Sequence, residues 1–385
     1  MRKFYTMLAI LIFPHALLFP NPGKLPISEP GTLVRELTVA KPAVSYLKCH
    51  FSPCGRYLYY SESCPEQDAL TLYWRLQVLD IGTGKVKTLF PRFEVGFGDF
   101  ALSPNGQYLA LPHEPDDVAV YSLPELRLLA RYQLKNVPLV LRFSADGSYL
   151  FASAGYTHIK DDPIFGGLRK PASQVAIYRT QDWKEVANLQ ILELGIRGSS
   201  VIYDILHIPN SEMFVVRTGA DLYVYDFDGT LVSQLMPAQV SGVTIDPKMK
   251  VLASSYLTGE IRFFDLEKIR QWDRLNTLIS KPTYVIRSLA TEYWWLRFSP
   301  NGRWLFVGAG LIDPPHQDDV RAGVIQVYDV EKKALEAVWQ PTKYNKDMPY
   351  LWATFTPDGK YLAVLDGPRT SILRIWKLPE KYYKQ

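Results

Sequence analysis

The sequence predicts an all-β chain built from radially stacked four-stranded antiparallel sheets, and three observations lead there. A turn string of the type FSPNG (Phe298 to Gly302) recurs along the chain, as FSPCG at Phe51, LSPNG at Leu102, FSADG at Phe143 and FTPDG at Phe355. Weaker relatives are HIPNS at His207 and TIDPK at Thr244, where the glycine is lost. A third strand ending in a related motif follows each turn: LQVLD, VAVYS, VAIYR, LYVYD, IRFFD, IQVYD and LRIWK. Finally, 24 Tyr, 18 Phe and 9 Trp favour the pleated surface of a strand over a helix. Self-similarity at a spacing of about 38 to 65 residues marks a repeat architecture. Seven four-stranded units stacked around an axis make a seven-bladed β-propeller.

Each element of the unit has a physical reason. A short apolar strand precedes the turn. In Ser-Pro-x-Gly, proline fixes φ at the first corner and glycine takes the positive φ that closes the hairpin. A second strand follows, such as RYLYYS, SYLFAS or KYLAVL, then the third, and after a turn of two to four residues the fourth, as in KVKTLF. The strands are apolar on both faces, as a sheet sandwiched between two others requires. The seventh copy supplies only three strands before the chain ends. The orphan strand GTLVRELTV, Gly31 to Val39, is of the fourth-strand type, so it is expected to complete the last blade and join the ring's two ends. Residues 31–378 therefore form one propeller domain. The segment Leu266 to Leu289 is expected to carry a short helix before the fourth strand of blade 5.

These motifs resemble those of the WD-repeat-like propellers over nearly the whole of residues 31–378. The chain has neither the Gly-His dipeptide before a blade nor the Trp-Asp pair ending a third strand. Its pattern is closer to the bacterial YVTN-type propellers and to the propeller subunits of periplasmic amine dehydrogenases.

Residues 1–24 differ from the rest. Arg2 and Lys3 precede an apolar run from Phe4 to Phe13, which matches a signal peptide or an N-terminal membrane tether and implies an extracytoplasmic protein, periplasmic, secreted or membrane-tethered. Cys49, Cys54 and Cys64 fall close together. Cys54 lies in a turn and Cys64 beyond the next strand, roughly 20 Å away, so no bridge between them is expected. A net charge of +4, with acidic residues interspersed, argues against nucleic acid. No P-loop, zinc-finger spacing, dinucleotide turn or haem-attachment CxxCH motif is present, so no cofactor is expected on this chain.

Candidate sites fall on the face that carries the second-to-third-strand loops, here the top. Its insertions include ESCPEQDALTL, AGYTHIKDDPIFGGLRKPASQ and AGLIDPPHQDDVRAG. Three top loops hold a histidine before an Asp pair. Of these, His113, Asp116 and Asp117 with His158, Asp161 and Asp162 are on adjacent blades and offer nitrogen and carboxylate ligands for a metal. Aromatic residues recur six positions before the turn serine: Tyr46, Phe97, Tyr293 and Tyr350, with Trp294, Trp295 and Trp352 beside them. Clustered at the top mouth, Tyr46, Phe97, Tyr293, Trp294, Tyr350 and Trp352 would anchor a partner, the competing role being packing between blades. Lys48, Asp99, Arg142, Asp204 and Arg297 are expected to line the central channel, with some pairing between blades. The functional expectation is a non-catalytic scaffold that binds a protein or peptide partner. A propeller subunit of an amine-dehydrogenase-type oxidoreductase comes second, and a metal-dependent hydrolase or lactonase third.

Overall fold

The structure is a computed structural model of the 385-residue chain. It describes residues 27–39, 48–65, 72–93, 99–114, 116–159, 170–192, 201–219, 221–235, 239–271, 281–287, 292–311, 321–341, 352–365 and 372–384. Seven antiparallel sheets follow one another along the chain, and each blade runs outward from its first strand to its fourth. The first strands are Cys49–Phe51, Ala101–Leu102, Pro138–Phe143, Ile202–Ile208, Val240–Ile245, Glu292–Phe298 and Trp352–Phe355. They touch their neighbours around the ring, so each blade's inner edge faces the axis. The strand Thr32–Thr38 pairs antiparallel with Ile372–Lys377 and completes blade 7, as the strand count requires. One feature lies outside the expected pattern. Ile27–Ser28 adds to the outer strand Ala334–Trp339 of blade 6 as a short parallel fifth strand.

There is no single central core. Buried side chains form seven clusters, one in each interface between neighbouring blades. Phe151, Ile177 and Val216 meet between blades 3 and 4, and Phe306, Leu362 and Trp376 between blades 6 and 7. This division explains the sequence pattern, because the second and third strands pack on both faces and lose period-two alternation, while outer fourth strands such as Thr32–Thr38 and Leu128–Gln133 stay more exposed.

The recurring turn residues carry local structure. Ser52, Ser103, Ser144, Ser299 and Thr356 each accept at Oγ from the backbone N–H five residues on, at 2.9 to 3.0 Å. In blade 5 the aspartate Asp246 takes this role toward Val251 N at 2.6 Å, so that turn is IDPKM, one residue later than the sequence pattern suggested. Met249 there holds φ at +57°, close to the +70 to +75° of the turn glycines. The turns also touch one another. A Cβ on Gly106 would lie 2.9 Å from Cδ of Pro53 in the blade before, and one on Gly359 3.2 Å from Cδ of Pro300. Proline of one blade thus abuts glycine of the next on the lower face. Gly106→Ala meets both the positive φ and this contact, and is expected to cost about 2 kcal/mol in denaturant unfolding.

The third-strand aspartates cap the following turn. Asp80 accepts from Thr83 N, Asp226 from Thr230 N and Asp329 from Glu331 N, all near 3 Å. Asp265 caps the short helix Leu266–Arg270, which lies where the sequence placed one. Cys49 and Cys54 are free thiols, Cys49 buried and Cys54 exposed.

Candidate functional site

Four first strands bring charge to the axis, and the charges join hand to hand. Lys48 Nζ of blade 1 lies 2.6 Å from Asp99 Oδ2 of blade 2. Asp99 is 3.4 Å from Arg142 Nη1 of blade 3, whose Nε donates to Asp204 Oδ1 of blade 4 at 2.9 Å. Each carboxylate is fixed by backbone donors as well: Asp99 accepts from Phe100 N and Leu141 N, and Asp204 from Ile205 N. Lys48, Asp99, Arg142 and Asp204 keep only 2 to 13% of their side-chain surface exposed, so the chain of ions is largely desolvated.

The ring continues past Lys48 into an aromatic. Trp352 of blade 7 lies under Lys48 Nζ at 5.5 Å and under the Arg297 guanidinium of blade 6 at 5.2 Å. Its indole N–H reaches Cys49 O at 3.3 Å, which fixes the ring between blades 7 and 1. On the other side of Asp204, Arg217 is its cross-strand partner and stacks on Tyr203, 5.2 Å from the ring centroid. Tyr203 keeps 46% of its surface exposed.

Electrostatics follow from burial and neighbours. Burial pushes Lys48 down to about 8, with Asp99 opposing. Burial, reinforced by Arg142, holds His50 at about 3, a neutral ring lying edge-on to Phe100 at 5.1 Å. Burial disfavours the Asp204 carboxylate, yet Arg142, Arg297, Arg217 and Lys48 together hold it below the usual range. Arg142 is raised despite its burial, because Asp204 and Asp99 flank it. Arg217 and Arg297 are lowered by burial, which Asp204 only partly offsets.

Of the aromatic candidates, Trp352 lies beside Lys48 and Arg297. Tyr46, Phe97 and Tyr350 lie outside the described residues. Tyr293 and Trp294 belong to the first strand of blade 6, and their side chains lie outside what is described. Trp295 has a packing role: it is 2% exposed, belongs to the cluster between blades 6 and 7, and lies against Gly308, where no Cβ would fit. Of the metal candidates, Asp117 binds Arg131 Nε, Glu114 binds the same guanidinium at 2.8 Å, and Asp116 accepts from Gln133 at 3.2 Å. Asp161, Asp162 and the His158 side chain lie outside the described residues. Among the described residues no three His, Cys, Asp or Glu groups converge as metal ligands.

Sequence reasoning missed Arg217 and Tyr203. The repeat alignment carried the signal: facing Lys48, Val140, Gly242 and Trp295 across the first hairpin are Ser61, Ser153, Ser255 and Gly308, but facing Asp204 is Arg217. A small residue suffices in those four blades and Leu365 faces Trp352 in blade 7, so blade 4 is set apart from these five by the charge it places there.

A cleft of 520 Å³ opens on the lower face beside blade 5, lined in part by Lys248, Lys250, Asp265, Arg270 and Tyr284. Arg270 is committed there, donating to Pro209 O, Met249 O and Glu267. The chain matches no protein-family model, and no curated protein is detectably similar to it in sequence. What is shown is a seven-bladed β-propeller, a fold that hosts many activities.

Proposed function

We propose that this protein is a non-catalytic propeller scaffold of the WD-repeat-like, YVTN-type kind, and that it binds a protein or peptide partner through its top face outside the cytoplasm. The observation that carries this reading is the group Tyr203, Arg217, Arg297 and Trp352 at the axis. Tyrosine, arginine and tryptophan are the residues that anchor interfaces, and here rigid strands of blades 4, 6 and 7 hold them. The sequence carries long insertions between the second and third strands of blades 1, 3 and 6, the kind of varied segment that carries binding function. The apolar run behind Arg2 and Lys3 supports an extracytoplasmic setting.

The test is capture of partners by the full chain from its native membrane and soluble fractions, wild type beside Tyr203→Ala and Leu128→Ala. Leu128 is exposed on the outer strand of blade 2 and serves as the remote control. A partner that survives Leu128→Ala and loses roughly tenfold or more of its enrichment with Tyr203→Ala supports the reading. Equal capture by all three forms removes the top-face anchor. A captured partner carrying a redox cofactor would replace the scaffold by the oxidoreductase-subunit role.

A further inference from the structure

Among the described residues the ions at the axis do not balance. Lys48, Arg142, Arg217 and Arg297 face two carboxylates, Asp99 and Asp204, while His50 is neutral. Both carboxylates are engaged by Lys48 and Arg142. Among the described residues neither Arg217 nor Arg297 has a carboxylate within ion-pair distance. Among the described residues, Arg297 Nη1 donates to the carbonyl of Leu296 and Arg217 Nε is buried without an acceptor. Asp204 is the cross-strand partner of Arg217, Arg142 binds that same Asp204, and Asp204 acts electrostatically on both Arg217 and Arg297. A largely desolvated cation without a counter-charge is costly, and a ligand that supplies the missing charge relieves that cost.

The repeat sharpens the point. Serine or glycine fills the position of Arg217 in four other blades, so packing does not demand an arginine there. Each of the two guanidinium groups also has an aromatic face beside it, Tyr203 for Arg217 and Trp352 for Arg297. A planar fork flanked by a flat apolar surface suits a planar anion on an organic stem better than a tetrahedral one.

We propose that the axis of the propeller is a carboxylate-binding site, in which Arg217 and Arg297 are the anion-binding residues and Tyr203 and Trp352 flank the ligand. The carboxylate arrives either on an acidic peptide or as a free small acid. The site does not depend on the scaffold reading, since a free acid would satisfy it equally well.

Thermal unfolding and calorimetric titration of the full chain test it with succinate, a capped tetraglutamate peptide and inorganic phosphate, each against chloride at matched ionic strength. Wild type is expected to bind and to melt higher with succinate or with the peptide, the responding arm naming the source. Arg217→Met is expected to lose roughly tenfold or more in affinity. Without ligand it is expected to melt no lower than wild type, because it removes a buried charge that lacks a partner. Arg217→Lys keeps the charge without the fork, and should fold and bind in between. Failure of both carboxylates to bind overturns the proposal, as does an unchanged response in Arg217→Met. So does phosphate binding as tightly as either carboxylate.

Discussion

Arg142→Met is expected to remove about 3–5 kcal/mol of unfolding free energy, measured by denaturant titration of the full chain. Arg142 is the central link of the buried ion chain. Among the described residues it is the one that bridges both Asp99 of blade 2 and Asp204 of blade 4, and its own blade lies between them. Methionine fills much of the same volume, so the loss comes from charge and not from a cavity. Two carboxylates with almost no solvent exposure would lose the guanidinium that compensates them, while Lys48 would still hold Asp99. The contrast with Arg217→Met makes the measurement decisive. Both substitutions delete one buried arginine at the same axis, yet one breaks a filled network and the other relieves an unfilled one. If Arg142→Met loses less than about 1 kcal/mol, the ion chain does not hold the inner ends of these blades together.

The fold was legible in the sequence because its signals are local and repeated. A residue at positive φ marks every first hairpin, most of them with a proline and with a serine or threonine that accepts from the backbone five residues on, and in four blades the aspartate ending the third strand marks the last turn. Closure was legible from a strand count alone, with Thr32–Thr38 completing the blade begun by Trp352–Phe355. Reading TIDPK for the fifth turn put it one residue early, because Asp246 replaces serine and Met249 replaces glycine. The axial charges were legible as a set. Their pairing was not, because it depends on which strand lies across the ring's interior: Arg142 meets Asp204 across 62 positions of sequence. Trp295 takes the packing role that competed with partner anchoring for this group, because a glycine on the next strand leaves room for the indole inside the blade interface. Arg217 was hidden because only second strands laid over one another reveal it as the odd residue.

Between pH 6.5 and pH 3, His50 is expected to make the fold progressively less stable. The folded protein holds this ring at about 3, since burial first and Arg142 second oppose its protonation. An unfolded chain would protonate it near 6.5. The unfolded state therefore binds the extra proton throughout that window, and stability falls as pH falls. Above pH 6.5 both states are neutral and the residue contributes no pH dependence. At pH 4 the linkage amounts to about 3 kcal/mol, set by the distance from pH 4 up to the unfolded pKa. His50→Met removes the titration and keeps an apolar side chain against Phe100. Other acidic groups titrate in the same range, so the quantity that decides is the difference between wild type and variant, taken from unfolding curves at pH 7, 5.5 and 4. A difference that widens toward pH 4 in favour of the variant supports a neutral histidine inside a cationic ring. A difference that stays constant means that His50 picks up its proton in the folded state, and the axis then tolerates more positive charge than two carboxylates can balance.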